Sequence, residues 1–267
     1  GFSVGNDTQA NKSGDTFVAW CWKAGGAAVT NNNGSVTSQV SANQEAGFSI
    51  VTYNGSNDST VTFGHGLDSA PEMVIIKRRN NANGWRVYHH AIGLGKYISL
   101  SNNAAGNSSS QDFASVSATT FGVKGGYNPV SINGGSYVAY CWHSVPGYSS
   151  YGCYEGNGNA DGTYIYLGFR PAMIIVKSYS NSGNSYNWFL CDSKRGPYNN
   201  IYQRVQPNDS STEVTDSSNA ATVDFLNDGF KIRGTGSMIN GNTVEYVYMA
   251  WAEQSTNTPY ASEPNAR

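Results

Sequence analysis

One seven-residue pattern recurs three times along the chain and limits how the chain can fold. The copies are TFVAWCW at 16–22, SYVAYCW at 136–142 and EYVYMAW at 245–251. A second pattern, APEMVIIK at 70–77 and RPAMIIVK at 170–177, precedes each of the last two copies. Similar strings in the same order indicate a repeated structural unit, so we predict two repeats of about a hundred residues, 47–145 and 146–254.

The first copy of the seven-residue pattern, at 16–22, is not preceded by a string like APEMVIIK or RPAMIIVK. Residues 1–22 align with 121–142 and with 229–251, which end the two repeats. We therefore predict that residues 1–22 are the final hairpin of a truncated preceding repeat. Residues 23–46 are polar and of low complexity, so we predict a linker there, and residues 255–267 are predicted to be a C-terminal tail.

Each repeat has the pattern of β-structure. Apolar runs of four to seven residues, such as Phe48–Tyr53, Met73–Lys77 and Tyr137–Trp142, are rich in Val, Ile, Tyr, Phe and Trp. Clusters of Gly, Asn, Ser and Pro separate them, as turns separate short strands. No segment of twelve residues has helical periodicity. The predicted fold is all-β, a tandem pair of β-sandwich repeats of a jelly-roll-like kind.

The strands that close the repeats are apolar on both faces. In Tyr137–Trp142, strict alternation leaves Val138 and Tyr140 opposite Ala139 and Cys141. A strand with two apolar faces lies between two packed layers or at an interface. This pattern led us to predict self-association, with a homotrimer as the expected assembly.

Charge and hydropathy exclude two classes of partner. The chain has 16 Lys and Arg against 18 Asp and Glu, a formal net charge of −2. A nucleic-acid-binding protein needs a basic face to replace the counterions of phosphates, so no nucleic-acid partner is predicted. The sequence contains no run of 18 apolar residues, so no transmembrane helix and no membrane partner are predicted.

No metal site or cofactor is predicted. Among Cys21, Cys141, Cys153 and Cys191 there is no CxxC pair, and the first two occupy a repeat position that is Ala250 in the third copy. Buried free thiols are the expectation, with a disulfide involving Cys153 or Cys191 as the alternative. Adjacent residues on a strand are expected to point to opposite faces, so His89 and His90 are not predicted to bind one metal ion together. NGNADG at 157–162 matches half of a calcium loop but lacks the bidentate Glu, so a turn is expected.

The motifs of common hydrolases and nucleotide-binding enzymes are absent: GxSxG, HExxH and the P-loop. Paired carboxylates for glycoside hydrolysis depend on spatial proximity and remain an alternative. The candidate acids for that chemistry are Glu72, Asp112, Asp161, Asp192 and Asp224. The prediction is a protein that is not an enzyme.

Aromatic residues at or beside loops are the candidate ligand contacts. They are Trp85, Tyr88, Tyr127, Tyr186 and Trp188. Flat aromatic faces stack on sugar rings while nearby amides and carboxylates bind hydroxyl groups. Trp85 and Trp188 match across the repeats, so a structural role in the core is the alternative for both.

Several strings together resemble a known family. They are GDTFVAWCWKAGG, SQVSANQEAGFSIVTY, FGHGLDSAPEMVIIK, GNADGTYIYLGFRPAMIIVK, DSKRGPYN, DFLNDGFKIRG and the terminal PNAR. In this order they resemble the C-terminal repeats of tail-fibre and related structural proteins of marine and freshwater bacteriophages. FGHGL departs from that family, which more often has Val before the Gly. The resemblance supplies no functional residues to carry over.

The resemblance implies a structural protein of the virion, located on an extracellular particle. The predicted function is a non-enzymatic tail-fibre or spike-like appendage that contacts other virion proteins and a glycan or protein of the host surface. Weak sugar contacts would gain strength through multivalency. The alternatives are a capsid-decorating or filament-forming fibre and a glycan-degrading tailspike.

Overall fold

The computed structural model describes residues 1–108, 112–180 and 185–253. The strands of the first unit are β1 (Val29–Asn31), β2 (Ser38–Asn43), β3 (Phe48–Asn54), β4 (Val61–Gly64), β5 (Met73–Arg78), β6 (Arg86–His89), β7 (Lys96–Ser99), β8 (Asn107–Ser108), β9 (Phe113–Val116), β10 (Thr120–Val123) and β11 (Ser136–Trp142). Those of the second unit are β12 (Ser149–Glu155), β13 (Tyr164–Tyr166), β14 (Pro171–Ser178), β15 (Phe189–Asp192), β16 (Gln203–Arg204), β17 (Val214–Thr215), β18 (Val223–Leu226), β19 (Gly229–Ile232) and β20 (Glu245–Ala252). The helix in the described part is α1 (Thr8–Asn11), of four residues. The predicted all-β, sandwich-type fold is confirmed.

The two units share one order of strands. In the first unit the central strands of the larger sheet run β3-β11-β5-β6, and a three-stranded sheet runs β4-β10-β9. In the second unit the corresponding orders are β12-β20-β14-β15 and β13-β19-β18. The paired strands are antiparallel. The closing strand of each unit, β11 or β20, therefore lies between two neighbours in the middle of its sheet.

Alternation along the closing strands explains the core of each unit. On β11, Tyr137, Ala139 and Cys141 are fully buried against the smaller sheet, where Phe63 and Phe121 pack. On β20, the same face carries its own buried residues, Tyr246, Tyr248 and Ala250. Successive side chains of a strand point to opposite faces, so the alternate residues of β11 and β20 point away from these two cores. They must pack against another part of the molecule.

The opposite faces of the two larger sheets cover each other. Tyr140 and Trp142 of the first unit join Val247, Met249 and Trp251 of the second in one apolar cluster. This cluster, which we call the junction, explains why the closing strands are apolar on both sides. The homotrimer was predicted from that second face, which is buried within a single chain, so the sequence argument for a trimer no longer holds.

The predicted linker 23–46 is largely part of the first unit, which corrects the domain boundary. Within it, β1 pairs with β2 and β2 pairs with β3, with Val40 opposite Val51. The low-complexity composition gave no signal for the strand β2. In this strand Ser38 and Val40 point into the core, and Gln39 between them faces solvent. Together, β1 and β2 extend the larger sheet of the first unit at the edge next to β3.

The predicted hairpin 1–22 is not formed among the described residues. This segment contains α1 and no strand, and the sheet begins only at β1. Residues 20–24 nevertheless alternate in exposure, with Trp20, Trp22 and Ala24 packed against the junction and Cys21 exposed. The predicted tail 255–267 lies outside the described residues.

Thiol reactivity checks this arrangement. All four cysteines are free, but the expected burial holds only for Cys141 and Cys191, and was wrong for Cys21 and Cys153, which are exposed. Burial raises the pKa of Cys141 and Cys191, and partial burial raises that of Cys153 as well, so Cys153 should react more slowly than Cys21. Only thiolates react quickly with disulfide reagents. We expect the folded chain to release two equivalents of thionitrobenzoate from Ellman's reagent, and four in denaturant. Cys21→Ser and Cys153→Ser should each lower the folded count by one, and a count of four without denaturant would contradict the fold.

Candidate functional site

The junction brings together the three tryptophans that end the recurring pattern. The ring centroid of Trp22 lies 6.2 Å from that of Trp142 and 5.3 Å from that of Trp251, both in edge-to-face geometry. Phe48 stacks on Trp142 at 5.0 Å. Aromatic pairs in these geometries stabilise a contact beyond the area they bury. The three copies of the pattern therefore converge on one point of the molecule.

Two side chains of the second unit enter the first. Trp188 is 1% exposed, and its Nε1 donates a hydrogen bond to the carbonyl of Ser99 at 2.8 Å. Lys177 is fully buried, and its Nζ donates to the carbonyls of Asn103 at 2.9 Å and Tyr186 at 2.7 Å. Burial lowers the pKa of Lys177 to about 8. Both contacts tie the second unit to a loop of the first.

Two histidines of the first unit reach in the opposite direction. His89 Nε2 contacts the carbonyl of Tyr248 at 3.3 Å, and His90 Nε2 contacts that of Tyr151 at 3.0 Å. The amide of Ala91 donates to His89 Nδ1, so the neutral ring with its proton on Nε2 fits the site. Burial, followed by the charge of His90, lowers the pKa of His89 to about 3.

The smaller sheet of the second unit carries an exposed aromatic pair. Tyr164 is 42% exposed and Tyr166 is 69% exposed, on either side of the buried Ile165 of β13. Sheet register places them at the positions that Thr62 and Gly64 occupy on β4. The strand alternation in TYIYLG was a signal for this pair that sequence reasoning missed.

In the first unit the side chains at the equivalent positions, Thr62 and Gly64, are small because another segment covers them. There residues 31–36 cover β4, with the amide of Ser35 donating to Thr62 Oγ1 at 2.8 Å. A Cβ on Gly64 would lie 2.0 Å from Asn31 Oδ1, so no side chain fits. On β13 of the second unit, by contrast, both tyrosines stand exposed. The two units therefore present different outer surfaces.

A polar groove adjoins the sheet that carries this tyrosine pair, and neither tyrosine is among the described residues that line it. It has a volume of about 590 Å³ and is lined by Asp161, Asn200, Ser218, Asn219 and Arg233, among others. The groove adjoins β13 through Lys231, which is opposite Tyr164 in the sheet and lies 2.5 Å from Asp161. The Lys231 ammonium holds the pKa of Asp161 below its usual value. Carboxylate, guanidinium and amide groups next to exposed aromatic rings can bind sugar hydroxyls and stack sugar faces.

The aromatic residues predicted as ligand contacts do not form one site. Tyr88 and Trp188 are buried, so neither presents a ring face to a ligand. Tyr127 is half-buried against the core of the first unit. Tyr186 is half-buried and contributes its carbonyl to Lys177. Trp85 is half-buried and stacks on Tyr140, with ring centroids 6.4 Å apart.

Each candidate catalytic acid has a structural partner. The partner of Glu72 is Ser144, whose amide donates at 2.7 Å. The other four are paired with arginine or lysine: Asp112 with Arg86, Asp161 with Lys231, Asp192 with Arg195 and Asp224 with Arg233. Asp112, Asp192 and Asp224 are largely buried in these pairs and have a structural role, whereas Asp161 is 79% exposed and its ion pair contributes little to stability.

The described residues contain no group of three or more His, Cys, Asp and Glu side chains arranged to hold a metal ion. In the stretch 157–162, Asn157 Oδ1 accepts the amide of Asn159 and Asn159 Oδ1 accepts that of Asp161. The calcium-like string thus forms consecutive side-chain-capped turns. No helix of the described part is long and apolar enough to cross a membrane.

Comparison with known proteins identifies a family without an assigned activity. No curated protein and no solved structure matches the chain. One family profile matches residues 1–255, so it covers the segment before β1 as well as both units. The chain therefore belongs to the family described as domain of unknown function DUF7483.

Proposed function

We propose that this chain is a non-enzymatic structural module of a virion appendage, of the tail-fibre or spike kind, which binds glycans of a host surface. The observation that carries the glycan part is the exposed pair Tyr164 and Tyr166, on a sheet whose Lys231 contacts Asp161 of the polar groove. The exposed aromatic pair occurs in the second unit only, where the first unit has Thr62 and Gly64. A difference of this kind between otherwise matching units is expected of a binding surface.

The virion part of the proposal comes from the resemblance of the repeats to phage fibre proteins. The tight junction between the units supports a mechanical role, because Trp188 and Lys177 fix their mutual orientation through hydrogen bonds to backbone carbonyls. That junction also favours the alternative of a filament-forming or capsid-decorating fibre. A homotrimer stays a prediction that light scattering on the purified chain tests.

Glycan binding is tested on a printed array of neutral and acidic oligosaccharides, followed by titration of the tightest ligand. Tyr166→Ala is expected to weaken binding about tenfold, since truncating an aromatic contact costs more than about 1 kcal/mol. Asn219→Gly should weaken it by a smaller factor, because it removes one hydrogen-bonding group and Gly tolerates the φ of 56° at this position. Unchanged melting temperatures would show that both variants are folded.

Leu94→Ala is the matched control, because Leu94 is an exposed apolar residue of the first unit, 49% accessible. Its affinity should equal that of the unaltered chain. Equal losses for Leu94→Ala and Tyr166→Ala, or an array without any ligand, would contradict the proposed glycan site. Release of reducing sugar from a bound polysaccharide would instead favour the depolymerase alternative.

A further inference from the structure

Residues 19–22 have one covered face and one bare face, whereas Val18, on the same side as Trp20, is itself 48% exposed. Trp20 and Trp22 pack against the junction, as do their equivalents Tyr140 and Trp142 in the first unit. The alternate residues Phe17, Ala19 and Cys21 are exposed, with Phe17 at 52%. Trp20 and Trp22 therefore occupy the same side of the junction contact as their equivalents in the repeat pattern.

The two complete units show what belongs on the bare face. The equivalents of Cys21 are Cys141 and Ala250, and both are fully buried in the core of their own unit. There the closing strand is flanked on one side by β3 or β12 and on the other by β5 or β14. Among the described residues, 16–22 has no flanking strand.

A groove beside the segment occupies the place of one missing neighbour. It has a volume of about 380 Å³ and lies between residues 18–22 and residues 192–194 of the second unit. Sheet register makes Ser193 the equivalent of His90, which contacts the carbonyl of Tyr151 on β12. Ser193 is 7% exposed, and within the described part its Oγ has no hydrogen-bond partner. A strand equivalent to β12 would supply that partner.

The first unit has a matching unfilled position at its other end. Trp188 and Lys177 of the second unit are covered by the Ser99–Asn103 loop of the first. Their equivalents Trp85 and Lys77 are only half-buried. A head-to-tail interface joins two different surfaces, so the first unit uses one of its surfaces on the second unit. Its other surface, with Trp85 and Lys77, stays available for a further unit.

We propose that residues 16–22 are the central strand of a third sandwich, completed by a further repeat of the same kind that lacks its own closing strand. Its equivalents of β3 and β5 pair with the two edges of 16–22, and its smaller sheet covers Phe17, Ala19 and Cys21. Its loop equivalent to Ser99–Asn103 covers Trp85 and Lys77. The three tryptophans of the junction then each belong to a complete unit.

The test adds the missing strands to the full chain. A second copy of residues 47–119 placed directly before Gly1 puts Phe2 and Val4 at the positions of the buried Phe121 and Val123. Residues 16–22 then take the position of 136–142, after a loop that is one residue shorter. The added residues contain no cysteine. We expect a folded chain in which Ellman's reagent finds one accessible thiol instead of two, because Cys21 becomes as buried as Cys141. Its labelling rate should fall at least about a hundredfold.

Ala19→Asp is the matched control in both proteins. The equivalent Ala139 is fully buried, so a carboxylate at position 19 should keep Cys21 reactive in the extended chain. In the original chain Ala19 is exposed, and the same substitution should leave the melting temperature unchanged.

Two results would overturn the proposal. One is an extended chain that folds yet keeps two reactive thiols. The other is an original chain that dimerises at micromolar concentration with Cys21 protected, which would show that a second copy covers the bare face. If the extended chain precipitates, Phe17→Asp in the original chain decides: an unchanged melting temperature supports a face that awaits a partner, and a large loss places Phe17 in the existing core and refutes it.

Discussion

Replacing Trp188 with Ala is expected to lower the free energy of unfolding by about 3–5 kcal/mol, the usual cost of removing a large buried aromatic side chain. The side chain is 1% exposed at the junction, and its loss also leaves the carbonyl of Ser99 without its donor. Chemical denaturation followed by tryptophan fluorescence and circular dichroism measures the change. Because the side chain joins the two units, their unfolding transitions should also separate.

The matched control is Trp85→Ala, at the equivalent position of the first unit. Trp85 is half-buried and stacks on Tyr140, so its removal should cost about 1–1.5 kcal/mol and leave a single transition. Equal losses for the two variants would show that the junction does not distinguish the units. That result would remove the evidence for a head-to-tail interface.

Lowering the pH from 7 to 5 is expected to remove about 2 kcal/mol of stability through His89, at about 1.4 kcal/mol for each pH unit below its ordinary pKa of 6.5. Burial lowers the pKa of His89 to about 3, so the folded chain keeps this ring neutral while the unfolded chain takes up a proton. The stability that depends on a neutral His89 is therefore fully present above about pH 6.5, and it is lost progressively as the pH falls from 6.5 towards 3. Burial lowers the pKa of His65 as well, which acts in the same direction.

His89→Gln isolates the contribution of this ring. The substitution removes the titrating group, so the difference in stability between pH 7 and pH 5 should shrink by most of its share, whatever the change in stability at pH 7. His90→Gln at the exposed neighbour should retain most of the pH dependence, because burial is the larger cause of the His89 shift. Identical pH profiles for His89→Gln and the unaltered chain would contradict this account.

The sequence predicted the repeated parts of the fold best. The strings around Met73, Met173, Trp142 and Trp251 contain continuous apolar runs, and these became central strands in both units. The strand β2 was missed because Ser and Asn fill many of its positions. Its pairing with β3 depends on a partner that a local pattern does not show.

The candidate site was harder to predict, because it depends on what each unit leaves uncovered. Trp85 and Trp188 occupy equivalent positions, yet only the second lies under a loop of the other unit. Tyr164 and Tyr166 are exposed, whereas residues 31–36 cover their equivalents in the first unit. Exposure of this kind follows from long-range packing and from a loop inserted in one unit, so a periodic pattern contains no signal for it.

The composition of the junction sets which changes of surroundings can weaken it. Among the described residues its contacts are tryptophan packing, hydrogen bonds of the His89 and His90 rings to carbonyls, and one buried ammonium on backbone carbonyls, with no ion pair between the units. Dissolved ions screen exposed charges, and salts excluded from the protein surface strengthen apolar burial instead of weakening it. Salt, from a dilute stream to brine, should therefore not weaken the packing between the units. A mildly acidic compartment should weaken it.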